Sequence, residues 1–354
     1  MTIAMRHPVL LGLSLSLAAA CGDDLAGVSG DPADPPGGDL EQYVAQFREQ
    51  NPYADHQVAR GPHRLAARLF EASGQVSGPP VILLHGYPDS QHLHDAVVPL
   101  LRREREVVTF DFLGWGASDK PDAADHRYDA ASLRADLEAV IDHFDPDQVT
   151  LVVHDASGWP GIDWALDHPD RVASLVVLNT VYHPTATATP PEGLAQYASS
   201  GAERDARVAL AIGDDALWLD GSEADGVIGF RDQIGRFFNS QEARDLYLPV
   251  FAEESLAMRP GFFELAAFLF QEVAARADAI SRMAAFERPV VVSFGADDPY
   301  LDLGVAADFA ARFPRSQRID IAGGNHYVQL DQPEAVAAAI LGAGPVAPRP
   351  ASGR

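Results

Sequence analysis

The chain has 354 residues, room for one large domain or two small ones, and its 47% hydrophobic content suffices for a sizeable core, which excludes a disordered protein. A formal charge of -25 excludes a nucleic-acid partner, because phosphate binding needs clustered Lys and Arg, and argues against adhesion to anionic lipid by surface charge. There is one cysteine, no Cys/His cluster at metal-ligand spacing and no internal repeat, so no metal or cofactor is expected and no protein partner is implied.

In chain order, Arg6 and His7 precede an apolar run from Pro8 to Leu17, then Ala18-Ala19-Ala20 and the lone Cys21. The run is too short for a lasting membrane span, so residues 1–20 read as an export signal. Leu17 to Cys21 resembles a bacterial lipobox, with Ala18 where Leu is usual. Lipidation of Cys21 and anchoring to the cell envelope are therefore expected; the alternative is ordinary cleavage after Ala20 and a periplasmic or secreted protein. Residues 21–40, rich in Asp, Pro and Gly, read as a flexible tether.

A folded core is expected over 41–181 and again over 289–345, with a tail at 346–354. Glu41 to Gln50 predicts a short helix and His63 to Phe70 an early strand. Short β-rich runs then stand at Val81–Leu84, Val107–Phe112, Gln148–Val153, Val172–Leu178, Val290–Phe294 and Arg318–Ile321. They alternate with helical patterns at Ala130–Phe144, Gly158–His168 and Pro333–Leu341, which calls for an α/β fold with a mostly parallel, doubly wound sheet covered on both faces. From 182 to 288 the strand signals stop, and Glu203–Leu210, Gln241–Phe251 and Phe262–Arg276 predict an inserted helical cap.

The chemistry centres on His154-Asp155-Ala156-Ser157-Gly158, directly after an apolar run. A strand-to-helix elbow of this kind presents a nucleophile, and the flanking Val153 and Ser157 are modest in size, as such a turn needs. Asp155 is ionised at neutral pH and requires no base to attack. Its natural target is an sp3 carbon bearing a leaving group, because the resulting ester can be hydrolysed whereas an ether cannot. A helix-capping aspartate is the bland alternative.

Four segments resemble the α/β-hydrolases with an aspartate nucleophile, a family that includes epoxide hydrolases and haloalkane dehalogenases. They are His85-Gly86-Tyr87-Pro88, the run Asp111 to Pro121, the elbow itself, and the pair Gly295-Ala296-Asp297-Asp298-Pro299 and Gly323-Gly324-Asn325-His326. The resemblance implies a backbone oxyanion hole at Tyr87 and Ala156, with Asp155 as nucleophile and His326 as base. The acid would be Asp298, just before proline, since the other position used in the family holds Asn179. Ser118 is expected to be structural, and no suitably flanked serine supports an esterase.

The leaving group decides the substrate. Dehalogenases of the family place a Trp after the nucleophile, where Ala156 stands here, leaving Trp115 or Trp159 as substitutes. Epoxide hydrolases use cap tyrosines, for which Tyr197 and Tyr247 stand as candidates and Tyr182 as a spare. The sequence therefore predicts a small apolar electrophile and water as reactants, with epoxide opening ahead of dehalogenation, and a non-catalytic exported binding protein as the reading from outside enzymology.

Overall fold

The computed structural model describes residues 40–198 and 201–342. The export signal, Cys21, the tether through residue 39 and the tail 346–354 lie outside the described residues.

Among the described residues ten strands follow the chain: β1 Ala54–Arg60, β2 His63–Phe70, β3 Val81–Leu84, β4 Val107–Phe110, β5 Val149–Asp155, β6 Val172–Thr180, β7 Gly221–Ser222, β8 Val227–Ile228, β9 Val290–Gly295 and β10 Ser316–Ile321. Eight of them form one sheet in the order β1-β2-β4-β3-β5-β6-β9-β10. The pairs β1/β2 and β2/β4 are antiparallel, and from β4 across to β10 every pair is parallel. All four residues of β3 and of β4 are buried, as strands covered on both faces require.

Twelve α-helices accompany them among the described residues: α1 Leu40–Gln50, α2 Val98–Leu101, α3 Ala130–Phe144, α4 Gly158–Asp167, α5 Glu192–Ala195, α6 Ala202–Gly213, α7 Asp215–Asp220, α8 Phe230–Gly235, α9 Gln241–Ala275, α10 Leu303–Arg312, α11 Val328–Asp331 and α12 Pro333–Leu341. Helices α5 to α9 and the small β7/β8 ribbon all fall between β6 and β9, forming the inserted cap. None of the described helices is long and apolar enough to cross a membrane.

Four sequence expectations need correction. The cap is not wholly helical, since β7 and β8 pair within it. Gln241–Phe251 and Phe262–Arg276 are one continuous helix of 35 residues despite Pro249 and Pro260. Pro260 cannot donate to the carbonyl of Leu256, but the Arg259 guanidinium does so at 2.9 Å, so the helix runs on. Strand β4 stops at Phe110, because the Phe112 N–H turns to His85 Nε2 at 3.1 Å. The edge strand β1 and helix α10 were not anticipated.

The sheet places the chemistry. Successive strands β3 and β4 proceed one way, and β5 returns to the other side of β3. This reversal leaves a crevice beyond the carboxyl ends of β3 and β5, the usual position for a ligand in an open α/β sheet. The loop from His85 to Ser90 leaves β3 there, and Asp155 ends β5.

Candidate active site

Asp155 adopts a left-handed backbone conformation, φ 49°, at the junction of β5 and the turn into α4. Two contacts hold it there. The Thr180 hydroxyl donates to the Asp155 carbonyl, and Gly86 passes so close that a Cβ on it would lie 2.6 Å from Asp155 Cβ. Glycine at 86 is what allows the β3 loop to approach Asp155.

The Tyr87 N–H donates to Asp155 Oδ1 at 3.0 Å, and the N–H of Ala156, the next residue, favours the charged carboxylate. The other oxygen, Oδ2, lies 3.7 Å from His326 Nε2. His326 Nδ1 is 2.9 Å from Asp298 Oδ2, completing a line of carboxylate, imidazole and carboxylate. Asp298 is almost fully buried and saturated: its Oδ1 accepts from the N–H groups of Tyr300 and Leu301, and its Oδ2 also accepts from Asn179 Nδ2 at 2.8 Å. Asn179 thus supports the acid instead of supplying it, while its own Oδ1 accepts the Gly295 N–H. The neighbouring Asp297 is exposed and accepts from Asn239.

The loop carrying His326 is pinned from the cap side. Asp331 accepts from the N–H groups of Asn325, Asn239 and Ser240, and the Tyr327 N–H donates to the Phe237 carbonyl. Behind the imidazole, fully buried His154 uses Nε2 to donate to the His326 carbonyl at 3.0 Å; burial and the nearby His326 keep it neutral.

Charge at the site follows from this packing. Burial raises the Asp155 carboxyl, opposed by His326 and by the two N–H donors. Burial works against a charged His326, yet Asp298 and then Asp155 outweigh it and raise the imidazole to about 9. Asp298 is held below its ordinary range, because His326 and the two backbone donors overcome the cost of burying it.

Asp155 and His326 open into a cavity of about 260 Å³ between core and cap. Its wall includes Tyr87, Tyr197, Trp218, Phe237, Phe262 and Tyr300, with no Lys or Arg among the lining residues. Of the expected leaving-group donors, only Tyr197 lines it, and the Tyr197 hydroxyl has no protein partner.

The remaining four donors lie elsewhere. Tyr247 packs edge-on against Tyr43 at 5.9 Å beneath α1. Tyr182 donates to Asp163 Oδ1 at 2.5 Å. Trp115 is wedged between Tyr87 and Tyr128 in the core, and Trp159 lies under the Arg276 guanidinium. All four are absent from the cavity lining. Their apolar bodies went into packing, which is the commoner fate of an aromatic side chain. Ser118 is structural: it accepts the Ala66 N–H and donates to the Asp111 carbonyl. Sequence reasoning did not find Trp218, Gln233 or Tyr300 at the cavity, and only Tyr300, two residues after Asp298, carried a positional signal.

A carboxylate on a strained strand-helix turn, with a histidine and a second carboxylate delivered by later strands, is the arrangement of an α/β-hydrolase. The chain belongs to the alpha/beta hydrolase fold family, whose model matches residues 79–333. It is 29% identical over 272 residues to a haloalkane dehalogenase of Sphingobium indicum, covering 75% of this chain and 88% of that protein. It is 34% identical over 130 residues to a cis-3-alkyl-4-alkyloxetan-2-one decarboxylase of Shewanella oneidensis, a match spanning 36% of this chain and only 39% of the relative. Among solved structures, the epoxide hydrolase CorEH superposes with a TM-score of 0.61 at 20% identity, covering 82% of this chain and 98% of that one; this likeness concerns the fold alone.

Proposed function

We propose that this hydrolase works through a covalent ester on Asp155 and opens an epoxide to a diol. The observation that carries the ester is the unequal treatment of the two carboxylate oxygens: Oδ1 accepts the Tyr87 N–H, while Oδ2 lies toward His326 Nε2, and both residues line the cavity. Oδ2 forms a bond to a ring carbon as the ring C–O bond breaks, and the electron pair passes to the ring oxygen, which takes a proton from Tyr197. Water then attacks the ester carbonyl after losing a proton to His326. The developing oxyanion rests on the N–H groups of Tyr87 and Ala156, and Asp298 stabilises the imidazolium. As the oxyanion collapses, the bond from the carbonyl carbon to Oδ2 breaks, the departing diol oxygen takes the proton from His326, and the other proton of the attacking water passes from the regenerated carboxyl group back to Tyr197.

An oxygen leaving group is favoured by the donors available. Tyr197 brings an unpartnered hydroxyl, whereas the one indole in the wall, that of Trp218, already donates to Ser255 at 2.8 Å. Absence of cationic lining argues for a neutral, apolar substrate. Dehalogenation is the second reading, favoured by the extent of the dehalogenase match. A panel of styrene oxide, 1-bromobutane and a dialkyl β-lactone separates them: diol formation without halide release is expected, and halide release without diol would reject epoxide opening. Envelope anchoring through Cys21 is proposed alongside, and membrane-fraction protein should become soluble on Cys21→Ala; an unchanged distribution would reject it.

A further inference from the structure

One polar group in the cavity wall is oriented by a relay that the proposed reaction does not use. Gln233, on α8, accepts the Gly193 N–H through Oε1 at 2.8 Å and turns its amide nitrogen to the Tyr300 hydroxyl oxygen at 3.3 Å. The orientation is fixed, since only the carbonyl end of the amide can accept from a backbone N–H. Gly193 is the residue that permits it: a Cβ there would stand 2.7 Å from Gln233 Oε1 and 2.9 Å from its Cγ.

Tyr300 itself is held firmly. Its N–H donates to Asp298 at 2.8 Å, its carbonyl accepts the Thr189 N–H at 2.8 Å, and its ring meets Phe237 edge-on at 5.6 Å. Because the phenol oxygen accepts from Gln233, its own proton is left to donate in another direction. Gly193, Gln233 and Tyr300 all line the cavity, and their neighbours in the wall are mostly apolar.

We propose that Tyr300 is a specificity-determining residue, a pre-oriented hydrogen-bond donor that recognises an acceptor oxygen on an otherwise apolar substrate, distinct from the oxygen that leaves. This rests on the reading of the cavity as the substrate site and ranks neutral molecules with a second ether, carbonyl or hydroxyl oxygen, such as aryl glycidyl ethers, above those with the leaving oxygen alone. A fixed donor loses little freedom on binding and would be left unpaired by a wholly hydrocarbon ligand.

The test is equilibrium binding of acetophenone and ethylbenzene, which share a shape and differ by one acceptor oxygen, followed through tryptophan fluorescence. The full chain should prefer acetophenone. Tyr300→Phe should weaken acetophenone by roughly three- to tenfold while leaving ethylbenzene within about twofold. Gln233→Met, which frees the phenol without emptying the space, should reduce the same preference and serves if the first variant does not fold. Equal weakening of both compounds, or no preference in the unaltered chain, would overturn the proposal. Binding requires no turnover, so an oxygen preference without any ester on Asp155 would keep Tyr300's role and reject only the proposed reaction.

Discussion

Asp155 spends conformational energy to be where it is. A non-glycine residue in a sparsely populated region of this kind costs about 1–3 kcal/mol, and here it lifts a carboxylate clear of the strand into the crevice. His326 adds a second property, its protonation. In the resting site the imidazole is raised to about 9, with Asp298 and Asp155 overcoming burial, so at neutral pH it stands as imidazolium facing the nucleophile's oxygen. Esterification removes the charge of Asp155 and with it one cause of that rise. The imidazole then titrates lower and becomes the base that water needs. In rapid-quench single turnovers, hydrolysis of the ester should accelerate with pH around a midpoint below about 9. Ester formation should not follow that rise, because it needs the Asp155 carboxylate and the proton of Tyr197, whose phenol is pushed up to about 12 by burial, and no neutral imidazole. A hydrolysis step that is flat across roughly pH 5 to 9 would contradict this role for His326.

At the scale of elements, α9 is the cap's longest member and reaches down into the core. Its buried Glu254 accepts the Ser90 hydroxyl at 2.6 Å and lies 3.8 Å from His92, which also contacts Asp95 at 2.6 Å. Helix α1 lies across the same junction, with the Tyr43 hydroxyl donating to Asp95 and the Leu40 N–H donating to Glu253. Glu254→Ala would leave the buried Ser90 hydroxyl without its acceptor and remove the carboxylate beside His92, and a loss of about 3 kcal/mol is expected in denaturant unfolding. A change below about 0.5 kcal/mol would show that the cap is held by other contacts.

The same elements show how far the sequence could be read. A buried parallel strand such as β3 announces itself as an unbroken apolar run, and motif residues fall at its end. Strand β1 did not, because Ala54–Arg60 is an edge strand with a single buried residue, Val58, and so lacks an apolar pattern. Asp155, His326 and Asp298 were legible because each stands in a tight turn that needs particular neighbours. The cavity wall was not, since Tyr197, Trp218, Gln233 and Phe262 come from separate helices whose meeting depends on cap packing. A lone aromatic in such a helix carries no mark that distinguishes wall from core, which is why Tyr247 and Tyr182 looked as suitable as Tyr197.

For the whole molecule, the fold sets where chemistry happens and leaves its identity to the cavity. An α/β-hydrolase frame serves many reactions, and relatives acting on haloalkanes and oxetanones show how much substrate range surrounds this chain. What unites the proposed reaction with both alternatives of leaving group is an enzyme oxygen entering the product. The most direct measurement is therefore one turnover of styrene oxide, enzyme in excess, in water enriched in heavy oxygen, followed by mass spectrometry of the peptide carrying Asp155 and of the product. The heavy oxygen is expected in the Asp155 carboxyl group, with the first diol drawing its new oxygen from the protein. Heavy oxygen in the diol and none in Asp155 would mean that water attacks the substrate directly, and the ester mechanism would be wrong.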